Sequence, residues 1–208
     1  YEMLRSLVGS EMCIRDSCLF RAIRIMKCSI VDIHTHRPTG KALEPSFAGI
    51  HPWQAETRRI EEIVPRFGEV DLVGEIGLDY AGTVGREAQL RIFREQLDWA
   101  ERLGKPVVLH CVKAFEAVMR ELAPHALRAV IFHGFIGSSQ QAAEAIKKGY
   151  YLSFGERTFR SPRTVEALRR TPVENLFAET DESDVPIEEI YRRIAQAKDL
   201  DPELLKCA

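Results

Sequence analysis

The sequence lacks any run of about 18 consecutive apolar residues, the length that a membrane-spanning helix needs. It also lacks internal repeats and low-complexity tracts, which excludes solenoid and collagen-like architectures. The formal net charge is only −2 over 208 residues, which argues against a strongly electrostatic nucleic-acid binder but leaves a local basic patch open. We therefore expect a soluble domain with one sizeable core and no membrane partner.

Cysteine is too sparse and too irregular for a disulfide framework. Two of the five cysteines lie in the first 25 residues, and Cys28, Cys111 and Cys207 show no paired spacing. The protein is therefore expected in a reducing compartment, the cytoplasm. We separately expect a monomer. Cys111 follows His110, but neighbouring side chains on a strand point to opposite faces. We interpret Cys111 as a packing residue rather than a ligand.

The first 25 residues have no helical or strand period. Tyr1 to Ser17 resembles a peptide that recurs where adapter DNA has been translated, and Met26 stands directly before the first patterned segment. We predict that residues 1–25 are a non-native or disordered leader that contributes nothing to the fold. Residues 26–208 would form a single domain whose last helix is cut short. A targeting peptide is the alternative, which four arginines favour and three acidic residues oppose.

Short apolar runs alternate with helical periods from about residue 28 onward. Strands are predicted near residues 28–35, 46–50, 71–76, 106–110, 128–133, 150–154 and 174–179, with helices between them. One helix carries an apolar stripe from Leu90 to Leu103 that ends at Gly104, and a capping box of Ser138 and Gln141 opens another. This alternation predicts an α/β fold with a parallel sheet and right-handed crossovers.

Side chains able to bind metal are concentrated at the ends of the predicted strands. Four of the six histidines and two acids lie there: His34, His36, Glu75, His110, His133 and Asp181. In a parallel barrel the C-terminal strand ends share one face, so these side chains would converge. One such histidine is usually a packing or surface residue, but four at the same structural position favour a metal site.

The donor types narrow the choice of metal. Imidazole and carboxylate donors without thiolate suit zinc, manganese or iron, and magnesium less well. Six protein ligands exceed the needs of one tetrahedral ion. Two divalent ions bridged by one acid account for the number better.

The order of motifs resembles that of the TatD-like metal-dependent hydrolases, which are amidohydrolase-type barrels. The motifs are His-x-His at 34–36, Gly-Glu-Ile-Gly-Leu-Asp-Tyr at 74–80, Pro-Val-Val-Leu-His at 106–110, His-Gly-Phe at 133–135, Tyr-Leu-Ser-Phe-Gly at 151–155 and Glu-Thr-Asp at 179–181. The resemblance covers about Cys28 to Leu205. It implies a two-metal hydrolase in which one ion is held by His34, His36 and Asp181, the other by His110 and His133, and Glu75 bridges the two.

Three departures from the family pattern shape the expected structure. Only twelve residues separate His36 from Gly49, where the family has a helix, a strand and another helix. We therefore predict a distorted TIM-type (β/α) barrel of seven strands. Val112 stands where the family often has an arginine, with Lys113 beside it. The segment after Asp181 enters a helix directly and lacks the family's longer substrate loop.

Candidates for holding the substrate are His51, Lys113 and Arg157. His51 is as readily a structural turn residue as a pocket residue, and cations such as the other two are commonly solvated surface charges. Trp53 could stack on a base, although packing against the barrel rim is the simpler interpretation.

Asp181 is the candidate general base, because it would take a proton from the attacking water while touching one metal. Asp79 and Glu179 share strand parity with Glu75 and Asp181, so they are expected to orient the ligands.

The predicted function is that of a deoxyribonuclease-like enzyme, a two-metal-dependent hydrolase of phosphodiester bonds. Its substrate would be DNA, cleaved as by a 3′-5′ exonuclease, or a small phosphodiester. Hydrolysis of small esters, amides or aminoacyl groups is the first alternative, and a non-catalytic metal-binding scaffold is the second. Clustered basic residues and a stacking aromatic at the pocket would favour a nuclease. A closed, narrow pocket would favour the hydrolysis of small esters, amides or aminoacyl groups. The complete ligand set argues against the scaffold.

Overall fold

The computed structural model describes residues 30–206, and the predicted leader 1–25 lies outside the described residues. Six strands form one sheet in the order β1 to β6, and every neighbouring pair is parallel. The strands are β1 (Phe47–Ala48), β2 (Leu72–Asp79), β3 (Val107–Val112), β4 (Val130–Phe132), β5 (Tyr151–Phe154) and β6 (Leu176–Ala178). The α/β class and the parallel sheet predicted from the sequence are confirmed.

Helices follow the strands and cover the outside of the sheet. They are α1 (Val64–Phe67), α2 (Arg86–Leu103), α3 (Phe115–Leu122), α4 (Ser139–Lys147), α5 (Pro162–Arg170), α6 (Ile187–Lys198) and α7 (Pro202–Leu205). Short 3-10 turns occur at Pro52–Gln54, Ile60–Glu62, Glu156–Arg160 and Val173–Asn175. None of the helices in residues 30–206 has the length and apolarity required to cross a bilayer.

The number of strands differs from the predicted seven at the first predicted strand. In the described part of that segment, Val31 and Thr35 form only isolated bridges, to Leu43 and Asp181. Backbone hydrogen bonds join this segment to β6 and to the residues that follow β6. One of them runs from the Ile33 N–H to Ala178 O at 3.1 Å. The chain turns back after His36 to meet Leu43, which leaves little length for regular pairing.

The segment 30–36 nevertheless closes the sheet into a distorted barrel. It hydrogen-bonds to Leu43 on one side and to Ala178 on the other. A small apolar cluster then fills the interior with two side chains from this segment and one from each strand: Val31, Ile33, Phe47, Leu72, Val108, Ile131, Tyr151 and Phe177. The larger core lies between the strands and the surrounding helices. Such a packed interior is typical of a barrel rather than a pore.

The predicted helix signals are present in the structure. Phe93, Leu97 and Ala100 of the α2 stripe are buried, and Gly104 ends the helix at φ 61°. Leu103, at the end of the stripe, is 41% exposed. The capping box also forms: the Gln141 backbone N–H donates to Ser138 Oγ at 3.2 Å, and the Ser138 N–H donates to Gln141 Oε1 at 3.0 Å.

Gly77 allows β2 and β3 to approach each other closely beside the strand-end residues. Its φ is 138°, and a Cβ at this position would overlap the carbonyl oxygen of His110. We expect Gly77→Ala to lower the free energy of unfolding by about 3 kcal/mol or more, through overpacking and a backbone conformation that L-residues avoid. Urea denaturation measures the change.

Gly68→Ala is the matched control for Gly77→Ala, because a Cβ at Gly68 meets no atom within 4 Å and its φ is −68°. Its stability should stay within about 1 kcal/mol of the wild type. Equal stabilities of the two variants would contradict the close approach of the strands.

Candidate metal centre

The six side chains that the sequence places at predicted strand ends meet at one edge of the barrel, although Glu75 lies four residues before the end of β2. Glu75 lies within β2, His110 within β3, and His133 and Asp181 directly follow β4 and β6. The segment before β1 contributes His34 and His36. Because parallel strands all end at the same edge, the side chains converge although up to 147 residues separate them along the chain.

Glu75 occupies the centre of this cluster. Its Oε1 lies 3.9 Å from His34 Nε2 and 3.8 Å from His51 Nε2. Its Oε2 lies 3.1 Å from His133 Nε2 and 3.6 Å from His110 Nδ1. Burial by itself raises the pKa of this carboxyl, but the neighbouring imidazoles of His110, His133 and His34 outweigh burial and hold the pKa far below its usual range. Glu75 is therefore an anion that faces imidazoles with both oxygens.

The potential ligand atoms form four overlapping groups, each within 4.8 Å: His34–His36–Asp181, His34–Glu75–His133, His51–Glu75–His110 and His133–Glu179–Asp181. The first group contains the three residues that the family resemblance assigns to one ion. Asp181 Oδ1 lies 3.9 Å from His34 Nε2 and 3.6 Å from His36 Nε2. His110 and His133, assigned to the other ion, approach to 3.5 Å between Nδ1 and Nε2.

The state of the buried imidazoles suits a metal site. His34 is fully buried, and within residues 30–206 neither of its ring nitrogens has a hydrogen-bond partner. Burial lowers the pKa of His34 to about 4, and burial likewise lowers the pKa of His51 to about 4. Both rings are therefore neutral at pH 7 and have a lone pair to offer. Buried polar atoms normally have partners, so a divalent cation bound by nitrogen and oxygen donors fits this set.

Two carboxylates, those of Asp79 and Glu179, lie beside the ring nitrogens of His110 and His133 that do not face Glu75. Strand parity predicts both positions. Asp79 Oδ2 lies 3.3 Å from His110 Nε2 and accepts a hydrogen bond of 2.7 Å from Trp53 Nε1. Glu179 Oε1 lies 3.6 Å from His133 Nδ1. In each ring the other nitrogen faces Glu75. This arrangement orients an imidazole toward a metal and selects its tautomer.

The charge around His133 favours a cation. Burial by itself lowers the pKa of this imidazole, but Glu179 and Glu75 outweigh burial and raise the pKa to about 10. The two carboxylates thus attract positive charge to a side chain that is only 8% exposed. A bound metal ion would satisfy the same requirement.

Asp32 ties the first segment of the barrel to the residue before Asp181. Its carboxylate accepts hydrogen bonds from the Thr180 backbone N–H at 2.9 Å and from Thr180 Oγ1 at 2.7 Å. Asp181 itself adopts φ 54°, and its backbone N–H donates to His34 O at 2.9 Å. These bonds place the Asp181 carboxylate beside His34 and His36.

Two buried glutamines of α2 support the site, and the sequence interpretation missed them. Gln96 accepts a hydrogen bond from the Ile50 N–H and donates to Ile50 O, which holds the turn before His51. Gln89 makes the same pair of bonds with the backbone of Asp79. Both occupy the apolar face of the helix, and this burial of polar residues on an apolar stripe was the available signal.

The predicted substrate-binding residues lie around the cluster at different distances from its centre. His51 belongs to the cluster, because its Nε2 lies close to Glu75 Oε1. Lys113 lines a pocket that also contains His133, and Arg157 lines a second pocket beside Asp181. Trp53 is 63% exposed, with its ring centre 4.5 Å from that of His51.

Cys111 belongs to none of the ligand groups found among the described residues. Burial raises the pKa of its thiol to about 12, so the sulfur stays protonated and is a poor ligand. The prediction that Cys111 is not a ligand agrees with this placement.

We expect Asp79→Asn to weaken metal binding on the His110 side by about 10- to 100-fold. An amide can keep the Oδ1 bonds to Ala81 and Gly82, but an NH2 group in place of Oδ2 cannot accept from Trp53 and His110. Metal affinity measured with a competing chelator checks the effect.

Trp53→Phe removes only one donor to Asp79 and should cost less than Asp79→Asn. Unchanged affinity in Asp79→Asn would show that Asp79 does not orient His110.

A barrel that brings imidazoles and carboxylates together at one edge has the arrangement expected of a metal-dependent hydrolase. The model of the TatD related DNase family matches residues 31–206. The chain therefore belongs to the TatD-related DNase family.

Individual relatives agree with the family assignment. The uncharacterized metal-dependent hydrolase YjjV of Escherichia coli K12 is 33% identical over 157 residues, 69% of this chain and 61% of that protein. The 3′-5′ ssDNA/RNA exonuclease TatD of Citrobacter koseri is 33% identical over 149 residues, 65% of this chain and 56% of that protein. The chain thus spans somewhat more than half the length of these relatives.

Solved structures show the same fold. The crystal structure of YjjV, a TatD homolog from Escherichia coli, superimposes with a TM-score of 0.71 at 24% identity over 79% of this chain and 73% of that chain. A TatD-family hydrolase from Entamoeba histolytica gives a TM-score of 0.69 at 18% identity, over 80% of this chain and 72% of that chain. These similarities confirm the TatD-like barrel predicted from the sequence.

Proposed function

We propose that the protein is a two-metal phosphodiesterase that removes nucleotides from the 3′ end of single-stranded DNA. The observation that carries the proposal is the position of Glu75, whose two oxygens each face two imidazoles of the cluster. A carboxylate in this position can be shared by two cations. The name of the Citrobacter koseri relative, an ssDNA/RNA exonuclease, supports the choice of substrate.

We assign the ligands as the family resemblance implies. His34, His36 and Asp181 would hold one divalent ion, His110 and His133 would hold the other, and Glu75 would be shared between the two. Zinc and manganese suit these donors best. Bound ions of this kind supply a water of lowered pKa and stabilise charge on the reacting phosphate.

Proton transfer, substrate binding and ligand orientation are assigned to different residues of the chain. Asp181 accepts the proton of the attacking water, and burial raises the pKa of its carboxyl, in the direction that strengthens a base. His51, beside Glu75, contacts the scissile phosphate. Lys113 and Arg157 provide positive charge on two sides of the centre, in the pockets that contain His133 and Asp181. Asp79 and Glu179 hold His110 and His133 in orientation.

The decisive experiment incubates the metal-loaded protein with end-labelled single-stranded DNA, bis-p-nitrophenyl phosphate and a panel of esters and amides. We expect stepwise shortening of the DNA from its 3′ end and release of nitrophenol, both abolished by EDTA. Asp181→Asn, purified in the same way, controls for contaminating nuclease. Hydrolysis of esters or amides without cleavage of either phosphodiester would overturn the nuclease function.

We also propose that residues 26–208 act as one hydrolase domain, as a monomer in the cytoplasm. One sheet holds all six strands of the described residues, and the family match covers 31–206. Within residues 30–206 the thiol of Cys111 has no disulfide partner, which suits a reducing compartment. Size-exclusion chromatography with light scattering tests the oligomeric state.

A further inference from the structure

A large pocket opens from the His133 side of the metal centre and extends over the loops that follow β2, β3 and β4. Its volume is about 720 Å³, and both His133 and Lys113 line it. It is lined by residues from the starts of α2, α3 and α5 and from α4. All of these follow the C-terminal ends of strands, which is why the pocket is continuous with the site.

The wall of this pocket, here called the basic pocket, carries four cations: Arg86, Lys113, Arg120 and Arg163. Within residues 30–206, Arg86, Lys113 and Arg163 form no ion pair. Arg120 lies 3.5 Å from Glu121, but Arg94 already holds that carboxylate with bonds of 2.6 and 3.0 Å.

Among the described residues, the single acid that lines the basic pocket is Glu116. Four cations against one carboxylate make a local positive field in a protein whose formal net charge is −2. The pocket therefore attracts anions, although the protein as a whole does not.

The basic pocket also has an apolar floor and a flat cationic surface. Phe115, Phe132 and Phe135 line it, and Ile136 stands 52% exposed at its edge. The guanidinium of Arg86 lies over the Tyr80 ring, 4.4 Å from its centre. A nucleotide base can rest against the apolar side chains and the stacked guanidinium while the phosphates of the strand contact the cations. Sequence-independent single-strand sites are built in this way.

We propose that the basic pocket binds the single-stranded stretch of nucleic acid adjoining the scissile phosphodiester, with Arg86, Arg120 and Arg163 on phosphates beyond it. The inference rests on the proposed phosphodiesterase function and adds where, and by which side chains, the strand beyond the cleaved bond is held. Duplex DNA does not meet the requirement, because its bases are stacked inside the helix and cannot reach the apolar floor. DNA and RNA strands share the chemistry, and the test separates them.

The test measures binding without turnover. Fluorescein-labelled ten-nucleotide oligothymidylate and oligouridylate, and a blunt duplex, are titrated in EDTA and followed by anisotropy at several salt concentrations. The double variant Arg86→Gln with Arg163→Gln is compared with the wild type. Its Kd for single strands should rise at least about five-fold, and its log–log salt slope should become shallower by about 0.7 for each phosphate that the variant no longer neutralises. Equal weakening with both strands would indicate recognition of phosphates, and weakening with DNA alone a DNA-specific site.

Arg66→Gln is the matched control, because Arg66 is exposed on α1 and does not line the basic pocket. It should bind both strands like the wild type. Thermal unfolding of all variants verifies that they are folded. With metal added, the double variant should lose far more kcat/KM on the oligonucleotide than on bis-p-nitrophenyl phosphate, which has one phosphate.

The outcomes separate the inference from the proposed function. Weakened strand binding in the double variant supports the basic pocket even if no phosphodiester is hydrolysed, in which case the proposed function fails alone. If the double variant binds strands as tightly as Arg66→Gln does, or if the wild type binds no strand, the inference is overturned whatever the hydrolysis assay shows. A duplex that binds as tightly as the single strands overturns it as well.

Discussion

Replacing Glu75 by glutamine is expected to remove metal from both positions and to lower kcat/KM by at least about 10³-fold, because each bound ion contributes several kcal/mol of transition-state stabilisation. The carboxylate is the only group in the cluster with contacts to His34, His51, His110 and His133 together. A neutral amide keeps the size of the side chain but offers one oxygen in place of two. The effect therefore follows from charge and ligand number rather than packing.

The Glu75→Gln experiment is a measurement of metal content. Elemental analysis of the loaded wild type should give two ions per chain, and Glu75→Gln should give fewer than one. His36→Ala is the graded comparison, because His36 is 41% exposed and belongs to one ligand group. It should lose mainly one ion.

Glu69→Gln, an exposed acid outside the ligand groups, controls for the change of charge. One ion per chain in the fully loaded wild type would contradict the shared position of Glu75.

Asp181→Asn is expected to lower kcat by at least about 10²-fold with a much smaller change in KM, since a base acts mainly in the transition state. The asparagine can still place an oxygen near His34 and His36, but it cannot accept the proton. The Asp181 backbone bond to His34 does not involve the carboxylate, so the fold of this loop is retained.

Asp184→Asn is the control for Asp181→Asn. Asp184 lies three residues further on, and its carboxylate pairs with the exposed Arg37 rather than with the cluster. It should keep wild-type kcat, which steady-state assays with bis-p-nitrophenyl phosphate can measure. An unaltered kcat in Asp181→Asn would assign the base elsewhere, with Asp79 or Glu179 the next candidates.

Much of the fold follows from local patterns in the sequence. The alternation of short apolar runs with helical periods predicted six strands that the structure contains, because a strand buried on both faces needs an uninterrupted apolar run. The capping box at Ser138 and the glycine at the end of α2 are equally local and formed as predicted. The first predicted strand does not form as a regular strand, and the reason is non-local. Its pairing with Leu43 is only an isolated bridge.

The candidate ligands were also predictable, because a barrel brings all its strand ends to one edge. Strand parity predicted that Asp79 and Glu179 stand behind the histidines, and their carboxylates lie 3.3 and 3.6 Å from His110 and His133. Periodicity is sufficient here, since it determines which face of a strand a side chain occupies.

Only the tertiary structure decided which groups surround each ligand. The approach of His51 to Glu75, the bond from Trp53 to Asp79, the glutamines that hold both loops and the basic pocket all join residues from different elements. Their distances depend on how helices pack on the barrel, which no local period encodes. The sequence by itself determined the barrel and the edge at which the candidate ligands meet, whereas packing between distant elements determined the environment of those side chains.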